Sequence, residues 1–180
     1  MSTRNPFFDI SLLPYQAPHF DTIKDEHYRP AFDEALRQKR ADIEAIVSHT
    51  AAPDFTNTVV ALEKSGVMLA RVSSVFFAMT SAHTNAYLQE LEEQLSTELA
   101  ALANDIWLND TLFARVESVW QDRAALDAES RRLVEETYQR FILAGARLNE
   151  AEKAELKALN TEAASLTSQF NQRLLAANNA

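Results

Sequence analysis

Apolar residues recur three or four positions apart along most of this chain, and no segment alternates apolar and polar residues over the length of a strand. Phe32, Leu36, Ile43 and Ile46 predict a helix over about 30–48, with Pro30 tolerated because it falls in the first turn. A short turn over 23–28 precedes it. After the loop TAAPDFTN, the residues Val59, Leu62, Gly66, Leu69, Val72, Phe76 and Met79 mark a second helix over about 57–82. The stretch NAYLQELEEQLSTELAALANDIWLN then sets Leu88, Leu91, Leu95, Leu99, Leu102 and Ile106 on one face, with Glu90, Glu93 and Glu98 off it. It is the cleanest amphipathic helix in the sequence.

Polar residues before the later apolar runs supply start signals. Asn109 or Asp110 can cap a fourth helix carrying Leu112, Val116, Val119 and Trp120, and Asp127 a fifth carrying Leu133, Val134, Tyr138 and Phe141. Asn149, followed three residues later by Glu152, resembles a capping box that opens the last helix. Its Leu156, Leu159, Ala163, Leu166, Phe170 and Leu174 form a stripe that is expected to be buried against partners. The stripe stays strong to the end, which leads to the expectation that the polypeptide continues past Ala180.

The N-terminal residues differ. Three prolines among Phe7, Phe8, Leu12, Leu13, Tyr15 and Phe20 exclude a regular helix, yet the segment is too apolar for a solvated tail. The predicted fold class is therefore all-α: an elongated antiparallel bundle of about six helices over 23–180, preceded by an extended apolar strap over 1–22 that packs on the body. Helices of this length reach roughly 35–45 Å.

Composition narrows the partners. The formal net charge is −9, and the 17 basic residues are scattered among acids, which disfavours nucleic acid. There is no cysteine, so disulfides and thiolate metal sites are excluded, and a reducing compartment, most simply the cytoplasm, is the expected location. No secretory signal is evident, and no stretch approaches the ~18 apolar residues of a membrane span, so no membrane partner is expected.

Candidate chemistry is sparse. The histidines His19, His27, His49 and His83 are at least eight residues apart, and neither a Glu-x-x-His pair nor an HExxH motif occurs. His83 is read as a boundary residue at a helix end. Lys64-Ser65-Gly66 lacks the upstream glycine of a phosphate loop, and the pairs Glu92-Glu93 and Glu135-Glu136 are read as solvated helix faces. Phe76 and Phe77 point about 100° apart on a helix, so one can enter the core while its neighbour reaches a second surface. Trp107 and Trp120 raise the same choice between core filling and interface. No catalytic, metal-binding or cofactor-binding residue is assigned to this chain.

Three blocks carry a resemblance: NPFFDISLLPYQAPHFDTIKDEHYRPAFDEALRQKRADIEAI, PDFTNTVVALEKSGVMLARVSSVFFAMTSAHTN and LNTEAASLTSQFNQRLLAA. In this order, and across essentially all 180 residues, the sequence resembles the N-terminal region of thimet-oligopeptidase-like zinc metallopeptidases. The resemblance implies a largely helical enzyme whose two halves enclose a channel for short peptides. It also implies zinc held by an HExxH motif and a later glutamate, in a C-terminal catalytic part absent from this chain. The implied activity is release of dipeptides from the free C-termini of oligopeptides. This chain would form and partly cover one wall of the channel, would be inactive alone, and on its own would expose an apolar face able to dimerise. The alternative is a free-standing helical module that binds a protein partner through a groove.

Overall fold

The structure, a computed structural model, describes residues 5–178. Its helices are α1 (Tyr28–Val47), α2 (Ala61–Lys64), α3 (Val67–Ala82), α4 (Ala86–Trp107), α5 (Asp110–Gln121), α6 (Ala128–Leu143) and α7 (Glu150–Asn178), and no strand occurs among the described residues. The all-α bundle expected from the periodicity is what is observed. Helix starts follow the caps. The Asn109 side chain, not that of Asp110, accepts from the Leu112 amide at 2.8 Å, and Asp127 accepts from the amides of Glu129 and Ser130. Asn149 and Glu152 exchange reciprocal bonds at 3.0 Å, a complete capping box.

Helices pair antiparallel. Tyr28 and Phe32 near the start of α1 pack on Phe76 late in α3, while Lys39 further along α1 reaches Ser65 before α3 begins. In the α5–α6 pair, Phe113 meets Phe141 and Trp120 meets Tyr138. One core cluster joins the first half of α1 to Val72 and Phe76 of α3 and Leu88–Leu95 of α4. A second joins the later half of α1 to Leu62, the end of α4, α5 and Phe141 of α6. Phe32, Phe76, Leu95, Leu112, Val116 and Phe141 are essentially inaccessible, so these clusters carry most of the apolar burial.

Two expectations need correction. The helix predicted over 57–82 is interrupted: a π-helical turn at Phe55–Val60 leads into α2, Ser65 is extended, and Gly66 adopts a left-handed conformation with φ +74° before α3 starts. A Cβ on Gly66 would lie 2.6 Å from Cδ of Lys39, so glycine is needed both for the turn and for the approach of α1. Glycine at a stripe position looks like part of the stripe, which is why the break was not visible. The 28-residue segment Phe55–Ala82 also meets the length and apolarity of a membrane span, contrary to the sequence reading. Within the fold it carries the break at Gly66 and buries Leu62, Met68, Val72 and Phe76 in the core, as a core helix does.

The strap packs on the body only in part. Asn5 donates to the carbonyl of His27 at 2.7 Å and Phe7 is buried with its ring 5.5 Å from that of Tyr28, but packing stops there. Ile10 (64% exposed), Leu12 (97%) and Tyr15 (103%) face solvent, because no helix among the described residues lies over them. The part of the strap before Asn5 lies outside the described residues.

Candidate functional site

α7 lies antiparallel along α4, and the seam between them is polar. Asn160 Nδ2 donates to Asn104 Oδ1 at 2.7 Å, Gln169 Nε2 to Glu93 Oε1 at 3.1 Å, and Gln172 Nε2 to the Gln89 carbonyl at 2.8 Å. Lys153, at the start of α7, is buried and pairs with Asp110 at the start of α5. That ammonium holds the Asp110 carboxyl below the usual carboxylate range, an effect opposed by desolvation. Ser168 is also buried on this seam, and its hydroxyl has no hydrogen-bond partner among the described residues.

The sequence explains which face α7 turns inward. At about 100° per residue, Asn160, Ala164 and Ser168 fall on one side, small or hydrogen-bonding residues that let the helices approach. Leu159, Leu166, Phe170 and Leu174 then fall on the far side, and all are exposed: 54%, 57%, 64% and 49%. Of the stripe expected to be buried, Leu156 is half-buried beside the Gly145 turn and the four residues from Leu159 to Leu174 are bare among the described residues. Together with the apolar residues of the strap it is the largest unmet packing demand in the fold.

The residues weighed for chemistry are used structurally. His83 ends α3, and His27 and His49 accept backbone amides of Lys24 and Ala51 through Nδ1. Glu93 bonds Gln169, Glu135 pairs with Arg123 and Glu136 with Arg132. The Glu92 carboxyl is pushed up by burial, with a bond from Thr80 opposing, and it lines a groove between α3, α4 and α7. Phe76 enters the core and Phe77 lines that groove. Trp107 packs edge-on against Phe141 at 4.8 Å and Trp120 stacks on Tyr138 at 4.4 Å, so both tryptophans fill space within the fold. Among the described residues no three His, Asp or Glu side chains gather as metal ligands, so they do not fit a zinc site.

No protein-family model matches the chain. It is 68% identical to dipeptidyl carboxypeptidase of Salmonella typhimurium over 182 aligned positions, covering 100% of this chain and 27% of that protein. The corresponding figures for dipeptidyl carboxypeptidase of Escherichia coli K12 are 66%, 99% and 26%. Oligopeptidase A of Salmonella typhimurium is 24% identical over 166 positions, in keeping with the thimet-oligopeptidase-like resemblance. Along its whole length, then, the chain is similar to the N-terminal part of dipeptidyl carboxypeptidase, and it spans about a quarter of the length of those relatives.

Proposed function

We propose that this chain is the N-terminal helical part of a zinc peptidase that releases dipeptides from the C-termini of oligopeptides. In this reading the zinc ion, its ligands and the water-activating carboxylate come from the remainder of the polypeptide. The helices described above form and cover one wall of the substrate channel, and the chain alone is inactive. The observation that carries the reading is the bare stripe of Leu159, Leu166, Phe170 and Leu174, an apolar face for the remaining part to cover. Identity of 68% to a protein of which the chain spans only 27% supports it. A cytoplasmic location belongs to the same proposal and fits the absence of cysteine. In isolation the stripe is offered to a second copy.

The test exchanges the matching segment of the Escherichia coli relative for this chain and measures dipeptide release. The chimera is expected to be active, and to lose activity and assembly when Leu166→Asp and Phe170→Asp are combined. The chain alone is expected to release no dipeptide. Stoichiometric zinc or dipeptide release by the isolated chain overturns the proposal.

A further inference from the structure

The segment between Phe8 and Lys24 is a loop closed at its base. Asn5 donates to the His27 carbonyl at 2.7 Å, Arg71 of α3 donates to the Phe7 carbonyl, and Phe7 and Ile23 pack into the first core cluster, so both ends are fixed to the body. Between these anchors the loop holds its own shape. The Ser11 hydroxyl accepts the Leu13 amide, and the carbonyls of Leu13, Pro14, Pro18 and His19 close successive short turns. Among the described residues, positions 10–22 make no hydrogen bond to a helix. Pro14 and Pro18 stiffen the loop further.

What the loop presents is apolar. Leu12 and Tyr15 are wholly exposed, and Phe8, Ile10, Leu13 and Phe20 stand out beside them. Tyr15 and Gln16 both adopt left-handed backbone, with φ +59° and +56°, a conformation that costs an L-residue free energy and persists where neighbouring structure imposes it. No neighbour among the described residues covers Tyr15. A loop that is stiff, strained at its tip and apolar outward has the form of a pre-organised docking element.

The end of α7 identifies the counterpart. Gln172 donates to the Gln89 carbonyl at 2.8 Å, and Leu174 and Leu175 line a groove with Thr80, Ser81 and Thr84, at the corner where α3 passes into α4. Asn85 of the same corner donates to Asp25, at the foot of the loop, at 2.7 Å. Polypeptide continuing from α7 therefore leaves beside the loop, and the bare stripe of α7 runs out at the same corner. The chain spans 27% of the Salmonella typhimurium relative, so a continuation of that length has material enough to cover both.

We propose that the loop is a clasp: Leu12 and Tyr15 insert into an apolar recess of the polypeptide that continues from α7, tying the N-terminal residues to the remaining part. This rests on the reading that the chain is the first part of a longer peptidase, and it adds which element, besides α7, holds the two parts together.

The test uses the full-length chimera, with the photoreactive residue p-benzoylphenylalanine in place of Leu12 or, separately, of Tyr15, both exposed enough to be replaced without disturbing the helices. Irradiation and peptide mass spectrometry are expected to give cross-links from both positions to residues beyond Ala180. Loop amides of the unmodified chimera are expected to exchange with deuterium roughly tenfold or more slowly than those of the Leu12→Asp, Tyr15→Asp double variant. Cross-links confined to residues 1–180, cross-linked dimers, absence of a cross-link from both positions, or loop exchange unaltered by the double variant each overturns the proposal. Dipeptide release is read separately. An active chimera without the cross-link removes the clasp and leaves the proposed function standing, and a cross-linked chimera without activity does the reverse.

Discussion

Asn160 of α7 gives its side-chain N–H to the side-chain oxygen of Asn104 at 2.7 Å, and Asn104 is 6% exposed, so a buried amide in the last turn of α4 depends on the last helix for its partner. Replacing Asn160 by Ala leaves that oxygen unsatisfied, and the expected loss of stability is about 1 kcal/mol, read as a lower urea midpoint with unchanged slope. The Asn104→Leu, Asn160→Leu double variant removes both polar groups and is expected to recover most of the loss.

The stripe on the other side of α7 gives the opposite expectation. Leu166→Asp and Phe170→Asp, measured at concentrations where the chain is monomeric, are expected to change the unfolding free energy by no more than ~0.5 kcal/mol each. Phe141→Ala, at a position with no accessible surface, is expected to cost ~3–5 kcal/mol in the same measurement. A large loss for the α7 variants would mean that the stripe is already covered.

Acid sensitivity follows from Asp110. Its carboxyl titrates lower in the folded chain than in the unfolded one because Lys153 bonds it. Its contribution is therefore complete above the ordinary carboxylate value of about 4 and is lost as pH falls through the lower folded value. Urea midpoints collected from neutral pH downward are expected to fall below about pH 4, and to fall less steeply in Asp110→Asn.

Gly66→Ala tests the break between α2 and α3. The left-handed backbone costs roughly 1–2 kcal/mol for an L-residue, and the new methyl also strikes Lys39. In a Lys39→Ala background the collision is gone, so the cost of Gly66→Ala is expected to drop to the backbone part alone. A double-mutant cycle in urea measures the difference.

Local features of the fold were legible in the sequence and distant ones were not. The caps at Asn109, Asp127 and Asn149 could be read because each involves residues two or three apart. The leucine face of α4 could be read because its own periodicity determines it. The π-helical turn at Phe55–Val60 and the break at Gly66 could not, since Gly66 sits at a spacing that suits a continuous stripe. Amphipathicity also located the apolar face of α7 without revealing whether this chain covers it. A signal for the true contact was present: Asn160, Ala164 and Ser168 lie one turn apart, and Ser96, Ala100 and Ala103 are spaced similarly on α4, small residues that permit close helices. Their match is a relation between segments some 60 residues apart, which periodicity within one segment cannot express.

A helix of 29 residues extends about 43 Å, and α7 is fastened to the body by amides and one ion pair where other helices use leucine and phenylalanine. Water can replace amide bonds at little net expense, so separation of such a seam leaves less apolar surface wet than opening the α1–α3 contact would. Backbone amides in the middle of α7 will therefore exchange their hydrogens for deuterium sooner than those of α4, until something settles on the outer leucines and slows them to the same rate.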